Sequence, residues 1–168
     1  MTPDKIYLVG FMASGKTTIA RALAGRLRWQ CEDVDALIEA RERSTIADIF
    51  SKQGEVYFRG VEREILKLVQ PMRHTVIATG GGTFADTDNR MAINLDGLSV
   101  WIDVALADLI ARIPLDGRRP LAADRAQLER LYLARTEAYR QAHLRINASR
   151  VNTQTVVDCI LDAMHQLP

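Results

Sequence analysis

The sequence predicts an α/β protein with three layers, α/β/α, built on a central five-stranded parallel sheet with helices on both faces. Two features of the pattern carry this. Short apolar runs alternate with segments at helical spacing along the chain, and the runs are continuously apolar, as strands buried on both faces are. A third observation is size: 168 residues at 48% hydrophobic composition make one compact domain, expected to span residues 1–168. In such a fold ligands sit at the carboxyl ends of the strands.

Taken in order, Ile6 to Val9 form a short buried strand ending at Gly10, and Thr17 to Leu27 repeat apolar residues at helical spacing through Ile19, Ala20, Leu23, Ala24 and Leu27. A weaker strand spans about Trp29 to Val34. Helices follow over Ala36 to Arg43 and Thr45 to Lys52, the second with Ser44 as its N-cap. Gly54 interrupts this pattern. Phe58, Val61, Ile65, Leu66 and Val69 then give an apolar stripe to a helix from Glu55 to Val69, which Pro71 ends. His74 to Thr79 reads as a buried strand, with Gly80, Gly81 and Gly82 directly after it. Leu98 to Val104 is a further strand, Ala105 to Ile113 a helix, Arg125 to Ala142 a long helix, Leu144 to Ala148 an edge strand and Thr155 to Leu167 a closing helix. Between two of these helices, Pro114 to Asp124 has prolines, a glycine and charges without periodicity, and is either a plain connection or a lid.

Composition excludes several classes. Twenty-two basic residues against twenty-one acidic leave a net charge of +1, no field that would gather nucleic acid or anionic membrane. No segment approaches the roughly 18 to 20 apolar residues of a membrane span, so the expectation is a cytoplasmic protein. Cys31 and Cys159 belong to no CxxC or Cys/His cluster, which argues against zinc and disulfides and for two buried thiols.

The chemistry begins at Gly10-Phe-Met-Ala-Ser-Gly-Lys16-Thr17, which fits GxxxxGK[ST] between a strand and a helix. Gly10 and Gly15 permit the tight turn. Successive backbone N–H groups and the positive end of the helix dipole make an anion cradle over Ala13, Ser14, Gly15, Lys16, Thr17 and Thr18. Lys16 reaches the β and γ phosphates of a nucleoside triphosphate, and Thr17 offers a hydroxyl to Mg²⁺.

An acceptor side follows. Asp33-Val-Asp35 ends the second strand, and a period of two puts both carboxylates on one face, one for Mg²⁺ and one for a hydroxyl; the alternative is an acidic helix start. Arg59 has Glu55 four residues before it and Glu62 three after, either a surface ion pair or a guanidinium turned toward a pocket to receive a carboxylate. Three glycines after a buried strand cost conformational entropy unless the backbone must approach something closely, a ligand's edge being the natural candidate. Arg118 and Arg119, and Arg135 four residues before Tyr139, are further candidates for anion contacts.

In order and spacing, GFMASGKTT, DVDALIE, the stretch from Ser44 to Phe50, GEVYFRGVE, TGGGT, RRPLA and ARTEAY resemble the motif set of the shikimate kinase family over nearly the whole chain. The resemblance implies a P-loop kinase fold of the nucleoside-monophosphate-kinase type and transfer of the γ-phosphate of ATP to the 3-hydroxyl of shikimate, with Mg²⁺ as cofactor. By the same resemblance Lys16, Asp35 and Arg119 form the catalytic set, Arg119 closing from a lid at about 114–124. Asp35, Phe50, Phe58, Arg59, Gly80, Gly81, Gly82 and Arg135 would bind the acceptor, the two arginines clamping its carboxylate. Thr17 and Asp33 would hold the metal, and Arg112 and Arg150 would lie at the adenine. The chain departs from the family pattern at Val34 and Ala122 and in a short lid. A monomer with only small-molecule partners is expected. Competing readings are a related kinase for gluconate or a nucleoside monophosphate, and a non-catalytic nucleotide-binding protein; Asp35, Arg59 and the three glycines together argue against the latter.

Overall fold

A computed structural model describes residues 3–113 and 124–167. The elements run β1 (Lys5–Val9), α1 (Lys16–Leu27), β2 (Gln30–Asp33), α2 (Val34–Glu42), α3 (Ile46–Val69), β3 (Thr75–Ala78), α4 (Thr87–Asp96), β4 (Leu98–Asp103), α5 (Leu106–Arg112), α6 (Arg125–Tyr139), β5 (Leu144–Asn147) and α7 (Thr153–His165). All five strands are parallel, in the order β2-β3-β1-β4-β5. Ile6 of β1 stands opposite Val76 of β3 and Leu98 of β4. Every residue of β1 and β3 is buried, which requires cover on both faces of the sheet. The predicted sheet is therefore present, with β1 at its centre. Among the described residues no helix is long and apolar enough to cross a membrane.

Several local expectations change. The chain leaves β2 one residue earlier than its sequence suggests, so Asp33 caps α2, accepting from the Ala36 N–H at 3.0 Å, and Asp35 lies in the first helical turn. The two carboxylates are thus neighbours across a strand–helix junction and not on one face of a strand. The cap of α3 is Thr45 and not Ser44: the Thr45 hydroxyl accepts from the Asp48 N–H at 3.1 Å. Two predicted helices join as α3, broken only at Gly54, whose φ of 82° and ψ of 172° lie outside helical space. Neither thiol is buried: Cys31 is half-buried on β2 and Cys159 is exposed. Most of the expected lid at 114–124 lies outside the described residues; Asp124 is described, and its carboxylate caps α6 by accepting from the Gln127 N–H at 2.8 Å.

One helix, α4, has no counterpart in the sequence reading. Its inward residues include Asn89 and Ile93 while Met91 and Leu95 point to solvent, so the apolar periodicity that reveals a helix is missing. Beyond it, at the amino-terminal end of the sheet, the fully buried Lys5 ammonium donates to the Gln70 carbonyl (2.5 Å) and to Asp96 Oδ2 (2.6 Å), and the Tyr7 hydroxyl also donates to Asp96. This ties β1, the end of α3 and the end of α4 together at the face opposite the site.

Candidate active site

The loop between β1 and α1 is shaped by three positive-φ residues, Gly10 (146°), Ala13 (61°) and Gly15 (90°). At Gly10 a Cβ would lie 2.7 Å from the Ile102 carbonyl oxygen of β4, so the first glycine is required by crowding as well as by torsion. The loop delivers the chain to the N-terminus of α1, where backbone N–H groups and the helix dipole favour an anion. Lys16, only 8% exposed, lies back over the loop and donates to the Gly10 and Phe11 carbonyls at 2.7 and 2.8 Å. The Thr17 hydroxyl donates to Asp33 Oδ2 at 2.5 Å, joining the loop to the end of β2.

Beside this loop, at the carboxyl ends of β1, β2 and β3, opens a cavity of about 400 Å³. Thr17, Asp33, Asp35, Phe50, Phe58, Arg59, Gly80, Gly81, Gly82 and Arg135 all line it, which brings together the acceptor-side residues picked from the sequence other than Arg118 and Arg119, which lie outside the described residues. Phe50 and Phe58 form one wall, their ring centroids 4.7 Å apart.

The glycines have a more specific reason than a ligand's edge. A Cβ at Gly80 would lie 2.8 Å from Asp35 Oδ1, at Gly81 3.1 Å from Arg135 Nη1, and at Gly82 2.5 Å from Arg59 Nη2. The backbone comes close so that the charged groups of the chain itself can converge.

The two guanidiniums differ in their surroundings. Arg59 Nη1 is 2.9 Å from Glu62 Oε1, and its Nη2 3.3 Å from Glu55 Oε1. Glu62 is fully buried and also accepts from the Thr83 hydroxyl at 2.8 Å. Burial works against the Arg59 charge, but Glu62 and then Glu55 outweigh it and raise its pKa. Arg135 is 6% exposed, contrary to the usual solvated arginine on a helix, and sits over the Phe11 ring at 5.7 Å. Burial pulls its pKa below the ordinary value; the Tyr139 oxygen opposes this and the Arg59 charge adds to it. Among the described residues no carboxylate lies within ion-pair distance of Arg135. A buried guanidinium with no ion-pair partner among the described residues, beside an open cavity, has the chemistry to receive an anion.

Met12, Arg21, Ala36, Glu39, Ile46 and Glu62 also line the cavity and were not among the predicted site residues. Spacing could have found two of them: Arg21 is four after Thr17 on α1, and Glu39 four after Asp35 on α2. Arg112 is exposed at the end of α5, and Arg150, also exposed, approaches Asp108 of that helix at 3.7 Å, so both lie away from the cavity. Arg119 lies outside the described residues.

A phosphate cradle opening onto a cavity fit for a small anionic acceptor defines the class: this is a P-loop small-molecule kinase. The family model described as shikimate kinase matches residues 12–165, and the chain belongs to the shikimate kinase family. It is 39% identical to the shikimate kinase of Sulfurihydrogenibium sp. (strain YO3AOP1) over 93% of this chain and 95% of that protein. Among solved structures it is similar to shikimate kinase from Acinetobacter baumannii in complex with shikimate, with a TM-score of 0.94, 33% identity and coverage of 99% of this chain and 97% of that one. Deoxyadenosine kinase from M. mycoides shares the fold alone, with a TM-score of 0.63 at 16% identity over 96% of this chain and all of that one.

Proposed function

We propose that the cavity takes shikimate and that the chain transfers the γ-phosphate of ATP to its 3-hydroxyl, giving shikimate 3-phosphate and ADP. The observation that carries this reading is the buried Arg135 guanidinium, without a carboxylate partner among the described residues, facing the same cavity as Arg59 and Asp35. Shikimate offers one carboxylate for the two arginines and three hydroxyls for Asp35 and the glycine backbone, with Phe50 and Phe58 against its ring. Asp35 accepts the proton of the 3-hydroxyl as its oxygen bonds to the γ-phosphorus; the bond from phosphorus to the bridging oxygen breaks, and ADP leaves with that electron pair. Lys16, freed from the loop carbonyls by the nucleotide, balances the charge on the β and γ phosphates. Arg119 has the same task by family resemblance.

Thr17 and Asp33 fit Mg²⁺, since they supply two hard oxygen donors that already converge, and such an ion fills its remaining positions with water and phosphate oxygens. Bound there it would neutralise phosphate charge. The reading is completed by a single domain that acts as a cytoplasmic monomer, and a net charge of +1 fits small-molecule partners better than nucleic acid.

The test is an ADP-release assay on the purified chain with ATP, Mg²⁺ and, in turn, shikimate, quinate, gluconate and nucleoside monophosphates. Turnover dependent on shikimate is the expected result. Turnover only with another acceptor would keep the kinase and refute the acceptor, and nucleotide binding without any turnover would refute catalysis.

A further inference from the structure

Tyr139 is 1% exposed at the end of α6, one helical turn beyond Arg135. Its ring packs against Trp101 of β4, the strand beside the central β1, with centroids 6.0 Å apart. Its hydroxyl donates to the Gly81 carbonyl, and the Arg135 guanidinium lies beside both, 3.1 Å from where a Cβ on Gly81 would stand and close enough to feel the phenol's oxygen. Burial pushes the phenol far above its ordinary pKa, so it stays protonated and keeps its donor. The phenol is thus a donor to the glycine loop with the Arg135 guanidinium as its charged neighbour.

We infer that Tyr139 is a positioning residue for the acceptor: its phenol fixes Gly81 and Arg135 relative to each other, and so sets the geometry in which the guanidinium meets the substrate carboxylate. The inference rests on the acceptor reading above. Three features make Tyr139 necessary for this. Arg135 has no carboxylate among the described residues to hold it, unlike Arg59 with Glu62 and Glu55. A Cβ at Gly81 would stand 3.1 Å from Arg135 Nη1, so loop and guanidinium are in register only while both stay put. A side chain with this many rotatable bonds loses orientation once the polar group beside it is removed.

Tyr139→Phe keeps the ring and removes the hydroxyl. The KM for shikimate is expected to rise about five- to tenfold, the effect of one lost buried hydrogen bond, with the KM for ATP within about twofold of the unaltered chain. Because Tyr139 acts through Arg135, the double variant Tyr139→Phe with Arg135→Ala should be no worse for shikimate than Arg135→Ala alone. Trp101→Phe, which loosens the packing behind Tyr139 without touching its oxygen, should leave the KM for shikimate unchanged. An unchanged shikimate KM in Tyr139→Phe, an equal rise for both substrates, additive losses in the double variant, or the same rise in Trp101→Phe would each overturn the inference. Arg135→Ala without effect on shikimate would instead overturn the acceptor reading beneath it. A thermal melt locates the melting range of Tyr139→Phe; if it is lowered, both KM values are taken below that range, where a shikimate KM unchanged from the unaltered chain overturns the inference.

Discussion

Asp35 and Arg59 reach one cavity from different helices, α2 and α3, and their substitution separates chemistry from binding. Asp35→Asn keeps the size of the side chain and removes its capacity to take a proton. It should lower kcat by at least about a hundredfold while the Kd for ATP is preserved, which single-turnover and nucleotide-titration experiments read separately. Arg59→Lys replaces a planar fork by a point charge and should weaken shikimate about tenfold or more with ATP affinity intact; equal losses on both ligands would contradict a carboxylate contact. At this scale the sequence was informative where residue type and spacing are special, as at Lys16, Thr17, Asp35 and Arg59. It was silent on the burial of Arg135, because nothing in the local pattern of α6 separates an inward arginine from a solvated one.

Elements hold these residues in place through contacts of modest strength, and α3 and α4 give the clearest case. Arg63 of α3 pairs with Asp86 at 2.7 Å, and the same carboxylate caps α4 by accepting from the Asn89 N–H at 3.0 Å. Partial burial pushes the Asp86 carboxyl up, but the Asn89 N–H and the Arg63 guanidinium outweigh it and hold its pKa below the usual range. A carboxyl whose pKa is depressed on folding adds stability above its unfolded pKa, and that stability is lost as pH falls through the folded one. Asp86→Ala should lower Tm at pH 7 by about 3 °C, the loss of a cap of about 1 kcal/mol. The gap between variant and unaltered chain should close as pH is lowered through the acid range of carboxylates. A gap independent of pH would leave only a helix-propensity effect. Neither the Asp86 cap nor α4 was read from the sequence, since a helix covering the sheet with so few inward apolar residues shows no stripe for a cap to introduce.

Across the whole molecule, function and stability are concentrated at opposite ends of the sheet. The parallel, fully buried character of β1 and β3 could be read directly from their apolar runs, whereas the order β2-β3-β1-β4-β5 could not, because strand neighbours are chosen by crossovers that leave no local trace. At the carboxyl end three strands deliver the site. At the amino end Lys5, Tyr7 and Asp96 form a buried polar knot that no site residue touches. Asp96→Asn would leave the Lys5 ammonium buried without its counter-charge, a loss of about 3 kcal/mol or more. Tm should fall by roughly 10 °C while kcat/KM below the melting range stays within about twofold. A comparable loss of kcat/KM would show that the two ends are coupled.

The break in α3 has a consequence for the handedness of the chain. Gly54 holds φ 82° and ψ 172°, and nothing lies within 4 Å of where its side chain would begin. Crowding therefore has no part in the choice of glycine there; torsion alone decides it. Reflected, the same angles are those of an ordinary extended residue, so this joint suits an amino acid of the opposite chirality. A D-alanine placed at 54 by chemical ligation would sit without strain and narrow the unfolded ensemble, where L-alanine would be strained. The bend between the Phe50 and Phe58 halves of the cavity wall thus depends on the one residue in the genetic code that has no hand.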